Sequence, residues 1–117
     1  MVPLRSVLGV FLIVTGLISL LATSVWAQEG SQRVYVATIS GSIDLGMTPY
    51  IKRALRKASD STNSTVVLDI NTPGGRLDAA FEIKDSLLET EVPVIAYVNR
   101  EAFSAGALIA IASNKIY

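Results

Sequence analysis

Neither cysteine nor histidine occurs among the 117 residues. Without cysteine there is no disulfide framework and no thiolate site, a composition compatible with an oxidising compartment. Without histidine there is no Ser-His-Asp triad, no Cys-His pair and no histidine-ligated zinc, so any hydrolytic reading has to find another base. Charge of one sign is missing too. Ten Lys and Arg balance ten Asp and Glu, and no basic excess points to nucleic acid. No internal repeat and no low-complexity tract stands out. What remains is 50% hydrophobic residues, the composition of a globular chain with at most one domain behind a leader.

Residues 1–27 read as that leader. Arg5 and the terminal amine precede an apolar run from Val7 to Ala22, and Val25-Trp26-Ala27 offers small residues where a signal peptidase reads. The expected cut falls before Gln28; the rival is an uncleaved N-terminal anchor. Both put the rest of the chain outside the cytoplasm, exported to the periplasmic or extracellular face of the membrane. Residues 28–33 read as a polar linker.

From residue 34 the pattern alternates. Val34-Tyr35-Val36-Ala37-Thr38-Ile39 reads as a strand with a turn at Ser40-Gly41-Ser42. A helix follows, with Thr48 expected as its N-cap, Pro49 at its first position, and Ile51, Ala54, Leu55 and Ala58 on one face. Lys52, Arg53, Arg56 and Lys57 fall on the other side, a solvated face rather than a lipid-docking cluster. Thr65-Val66-Val67-Leu68-Asp69-Ile70 reads as a second, buried strand. It enters Asn71-Thr72-Pro73-Gly74-Gly75, a tight turn whose glycines admit backbone conformations closed to other residues. Near Leu77 a second helix begins. Ala80, Ile83 and Leu87 face inward there, and Asp78, Glu82, Asp85 and Glu89 form a solubilising stripe. Pro93-Val94-Ile95-Ala96-Tyr97-Val98 reads as a third strand, a short polar connection follows, and the small and apolar run from Ala102 to Ala112 reads as a helix with Ser104 at its mouth. Lys115-Ile116-Tyr117 has the look of a strand that is only beginning. Strand-helix units in this order predict an α/β layer with a parallel sheet, in which successive strand ends converge on one pocket.

Two features of that pocket carry chemistry. Main-chain N–H groups at a glycine turn suit a phosphate or a developing oxyanion, although the same residues also make an ordinary strand-to-helix connection. Ser104 is exposed by its small neighbours, although a serine there also serves as a plain helix N-cap. Gly-x-Ser-x-Gly is not satisfied, because Ala102 stands where the first glycine belongs, so an α/β-hydrolase is disfavoured. Serine needs a base. Lys52 and Lys57 sit on the polar face of the first helix, Lys84 interrupts the second, and Lys115 lies about 16 Å beyond Ser104 if the intervening run is helical. None is a convincing base.

Ile70-Asn71-Thr72-Pro73-Gly74-Gly75 paired with a later Phe103-Ser104-Ala105-Gly106-Ala107 resembles the ClpP class of serine proteases, and most closely the membrane-bound NfeD-type proteases encoded beside stomatin-like proteins. The resemblance covers about residues 34–117, which it implies are the N-terminal part of a ClpP-like serine protease domain with the ClpP/crotonase-like layered fold, incomplete in this chain. It further implies Ser104 as nucleophile, the N–H groups of Gly75 and Ala105 as an oxyanion hole, Pro73 and Gly74 as the supporting turn, and a Ser-Lys dyad whose lysine lies beyond Tyr117. The expected function is an endopeptidase cutting apolar segments of membrane-associated proteins, with a stomatin-like partner, a homo-oligomeric state, and neither metal nor other cofactor. A crotonase-type acyl-CoA enzyme and a non-catalytic binding module are the alternatives. A leader argues against the first; the missing base favours the second.

Overall fold

The computed structural model describes residues 1, 3–10, 12 and 31–117. Residues 4–10 are helical and belong to one unit, Met1–Gly30, while Ser31–Tyr117 forms another. The apolar run past residue 12, the Val25-Trp26-Ala27 site and the Gln28 start lie outside the described residues. Among the described residues no helix is long and apolar enough to cross a membrane.

In the second unit, four parallel strands lie in the order β1-β2-β3-β4: β1 Arg33–Ser40, β2 Ser64–Thr72, β3 Val94–Ala102 and β4 Lys115–Ile116. Between them run α1 Met47–Ser59, α2 Leu77–Glu89 and α3 Ala105–Ile111. The strands are β-branched and apolar, which suits a pleated surface buried on at least one face. Register aligns Ala37, Leu68 and Ala96 across the sheet, with Ile39 beside Ile70 on the same face. All five are fully buried, together with Ile51, Ile83 and Ile109 from the three helices. The helices therefore share one face of the sheet. Val36, Val67 and Ile95, aligned on the other face, are exposed or half-buried.

Three local expectations are corrected. Thr48 is not the N-cap of α1: the helix begins at Met47 after Gly46, and the Asp44 carboxylate accepts the N–H groups of Gly46 and Met47 at 2.9 and 3.1 Å. An acceptor two residues upstream satisfies the orphan donors of the first turn, which frees Thr48 to turn inward. There it is buried and makes a long hydrogen bond to Ala79 O of α2, 3.5 Å. The second strand runs on through Thr72, two residues beyond Ile70. The polar stretch Asn99-Arg100-Glu101 is part of β3 rather than a connection; opposite β2, the partners jump from Ile70↔Val98 to Thr72↔Ala102. An irregularity of this kind bends a strand and re-aims its end.

β1 is an edge strand. Its Thr38 N–H donates to the Tyr50 hydroxyl of α1 at 3.0 Å, which occupies one of the outward donors that could pair with another chain.

If Asp44 starts α1, Asp44→Ala costs about 1 kcal/mol of unfolding free energy. Thr48→Val, which keeps the buried shape, costs less than about half of that. Urea unfolding of both variants checks the order; a larger loss at Thr48 returns the cap to that residue.

Candidate active site

The site forms where β2 and β3 end side by side. β2 delivers Pro73-Gly74-Gly75 and β3 delivers Phe103-Ser104, and Phe103 N–H donates to Thr72 O at 3.1 Å, tying the two ends together. A Cβ built on Gly74 would stand 3.0 Å from both Phe103 O and Ser104 Cβ, and 3.4 Å from Ala105 N. The glycine turn thus packs directly on the backbone that carries Ser104. Gly74 has φ +106°, Gly75 φ +154°, values that L side chains rarely adopt.

Gly75 meets a third segment. Ile43, just past the turn after β1, forms an isolated parallel bridge with Gly75. Ile43 N–H donates to Gly74 O at 2.9 Å, and Arg76 N–H donates to Ile43 O at 2.8 Å. A Cβ on Gly75 would fall 2.3 Å from Ile43 O and 2.5 Å from Ile43 N. Glycine is therefore required at 75 by the closeness of another backbone as well as by conformation.

These bonds aim two N–H groups. In a planar trans peptide the C=O and the following N–H point in opposite directions. Gly74 C=O is turned toward Ile43, so the Gly75 N–H points away from it. Ser104 C=O accepts from Ala107 N–H at 3.0 Å and Leu108 N–H at 3.3 Å, so the Ala105 N–H points out of the start of α3. Neither N–H donates to an acceptor among the described residues.

Ser104 itself is exposed and has φ +50°, ψ −115°. A non-glycine residue held there is strained, and such strain concentrates at functional sites. Its side chain makes no capping hydrogen bond to α3, so the plain N-cap alternative has no support in the geometry. Ala105 and Gly106 behind it are buried, and their small size lets the helix approach the sheet.

Arg76 and two of the lysines are paired. Arg76 donates from Nε and a terminal nitrogen to the two carboxylate oxygens of Asp78, at 3.0 and 2.6 Å. These bonds, with the Ala79 N–H, lower the Asp78 carboxyl to about 2. Both partners are exposed, so the pair organises the start of α2 more than it stabilises the fold. Lys52 pairs with Glu82 at 3.4 Å, and Lys84 pairs with Asp85 and lies 5.9 Å above the Phe81 ring. Lys57 is on the exposed side of α1. Lys115 is not on a continuation of the Ser104 helix, which ends at Ile111; it opens β4 opposite Ile95, at the far end of β3 from Ser104. No group of acidic residues suited to a metal ion occurs among the described residues.

The model of the NfeD1b N-terminal domain family matches residues 33–117. The chain belongs to that family. Membrane protein NfeD1b of Bacillus subtilis (strain 168) is 39% identical over 112 residues, covering 96% of this chain and 24% of the relative. Membrane-bound protease PH1510 of Pyrococcus horikoshii is 35% identical over 86 residues, covering 71% of this chain and 20% of the relative. This NfeD1b-type chain therefore spans a quarter or less of the length of these relatives. A solved structure of the 1510-N membrane protease specific for a stomatin homolog, from Pyrococcus horikoshii, superposes with TM-score 0.67 at 34% identity, covering 74% of this chain and 45% of that one. ClpP1 from Listeria monocytogenes superposes with TM-score 0.64 at 23% identity over 68% of this chain and 46% of that one, a likeness of fold alone. The fold class is α/β with a parallel sheet, of the ClpP-like type.

The structure brings Gly74, Gly75, Ser104 and Ala105 together, with Pro73 exposed at the outer side of the turn. It does not bring a lysine to them. Two residues of the site were not legible in the sequence. Ile43 carried one faint signal, a lone apolar residue between Ser42 and Asp44. Thr72 was read only as part of the turn, although a β-branched residue before Pro73 suits the end of the strand it belongs to.

The Ile43 approach predicts that Gly75→Ala destabilises the protein by roughly 2 kcal/mol or more, whereas Gly41→Ala costs only about 1 kcal/mol. Gly41 also has positive φ but opens onto free space, so the difference in urea midpoints reports the backbone contact together with the less accessible φ of Gly75. Equal costs would mean that Ile43 yields readily.

Proposed function

We propose that the chain is part of an exported, membrane-associated serine endopeptidase in which Ser104 attacks the scissile carbonyl. The observation that carries this reading is the strained, exposed Ser104 packed against a glycine turn. The Gly75 and Ala105 N–H groups are the donors for the oxyanion that forms when Ser104 Oγ bonds to the carbonyl carbon. A neutral lysine takes the hydroxyl proton and returns it to the leaving amine, giving an acyl-enzyme that water then hydrolyses. The lysine pairings and the position of Lys115 support a base from residues beyond Tyr117. Support also comes from a 1510-N membrane-bound stomatin-specific protease solved as a lysine-to-alanine variant with a substrate peptide, at 32% identity and TM-score 0.68.

The proposed substrates are apolar segments of membrane-associated proteins, a stomatin-like protein among them, in line with the names of the Pyrococcus proteins. The acyl-CoA alternative needs no nucleophile and leaves the strained Ser104 backbone without a use.

Two measurements test this. In the full-length protein, Ser104→Ala abolishes peptide hydrolysis and fluorophosphonate labelling, while Ser104→Gly abolishes both and raises stability by about 1 kcal/mol by relieving the positive φ. Retained hydrolysis by either variant moves the chemistry elsewhere. Residues 28–117 alone are not labelled at Ser104, because an unactivated serine keeps its proton at neutral pH. Equal labelling of this segment and the full-length protein would return the base to the residues described, with Lys84 the first to re-examine.

A further inference from the structure

Thr72 ends β2 fully buried, and it holds backbone on four sides. Its hydroxyl donates to Gly41 O at 2.5 Å, after β1. The same oxygen accepts the Gly74 N–H at 3.1 Å. Its carbonyl accepts the Phe103 N–H at 3.1 Å, one residue before Ser104. Its methyl fills the space beside Gly106, where an added Cβ would come within 2.4 Å of Thr72 Cγ2.

We propose that Thr72 is a positioning residue for acyl transfer at Ser104, its hydroxyl orienting the Gly75 N–H and its methyl setting the approach of α3. This rests on the protease reading above and adds a residue to it. A hydroxyl has one proton and two lone pairs. The short contact to Gly41 O takes the proton in preference to Gly74 O at 3.3 Å, which leaves a lone pair for the Gly74 N–H. Gly74 is then gripped at both ends, its N–H by Thr72 and its C=O by Ile43 N–H at 2.9 Å. Glycine is the residue least able to hold a conformation on its own, so the direction of the Gly75 N–H depends on those two grips. Removing the hydroxyl frees one of them: the buried Gly74 N–H loses its acceptor, while the exposed Gly41 carbonyl loses its donor.

The methyl acts on the other donor. With glycine at 106 the start of α3 can sit against Thr72 Cγ2, and this fixes how near the Ala105 N–H comes to the turn. The two arms of one side chain thus reach the two segments that carry the proposed oxyanion donors. Serine retains the first arm, valine the second.

The test uses the full-length protein, with active sites counted by fluorophosphonate labelling and turnover measured on a fluorogenic apolar peptide. Thr72→Val is expected to lower kcat per labelled site on the order of 10²-fold with KM changed less than about threefold, and Thr72→Ser to keep kcat within about tenfold of wild type. Hydrogen exchange across residues 72–76, read by mass spectrometry, rises in Thr72→Val and not in Thr72→Ser. Unchanged kcat per site in Thr72→Val overturns the inference, as does a loss in Thr72→Ser equal to that in Thr72→Val. Should Thr72→Val fail to fold, Gly106→Ala decides: its fall in melting temperature is expected to be smaller in the Thr72→Ser background, and strictly additive effects overturn the methyl contact. Hydrolysis surviving in Ser104→Ala would remove Ser104 as the nucleophile and with it the catalytic part of this inference, whereas the exchange and melting comparisons, which do not depend on turnover, test the Thr72 contacts separately.

Discussion

Among the described glycines, another segment's backbone comes nearest at Gly75, where a side chain would collide with Ile43. The arrangement of the site depends on it. The Ile43 bridge prolongs the parallel pairing of β1 with β2 beyond Ser40↔Asn71, so the glycine turn is held almost as a continuation of the sheet. A free turn with two glycines would sample many conformations. One bonded on both sides of Gly75, through Gly74 O and Arg76 N–H, has its N–H direction set by the sheet.

Ser104 is the counterpart of that rigidity. Its positive φ has to be maintained by neighbours, because the residue does not choose it. The neighbours are identifiable: Phe103 N–H is bonded to Thr72 O, Gly74 lies against Ser104 Cβ, and Ala105, Gly106, Ile109 and Ala110 are buried. α3 has only seven residues, too few to be stable as an isolated helix. Burial of its small face against the ends of β2 and β3 keeps it formed, and small residues make that approach possible.

Charge contributes little. The three ion pairs of the second unit, Lys52–Glu82, Arg76–Asp78 and Lys84–Asp85, are exposed or partly so, where such pairs are worth at most about 1 kcal/mol. Of the three, only Arg76–Asp78 adjoins the glycine turn, and it occupies the cation beside it. The core supplies the stability, on one face of the sheet. The Val36, Val67 and Ile95 row on the other face is open to solvent in part, although parallel sheets usually have both faces covered.

The sequence by itself determined the alternation of strands and helices, the inward faces of α1 and α2, and the two motifs at the ends of successive strands. These follow from local periodicity and from glycine, which report on neighbours a few residues apart. In a parallel sheet, motifs at consecutive strand ends must meet on one edge, so the meeting of Gly74 with Ser104 was legible from order alone. Tertiary structure decided the rest. Whether Asn99-Arg100-Glu101 is strand or connection depends on pairing with β2, some 30 residues away. Whether Thr48 or Asp44 serves the start of α1 depends on Ala79 taking the Thr48 hydroxyl from α2. The approach of Ile43 to Gly75, the four-sided role of Thr72 and the strained φ of Ser104 all rest on hydrogen bonds and contacts between separate segments. No window of sequence contains both partners of such a bond, so only the folded chain could fix them.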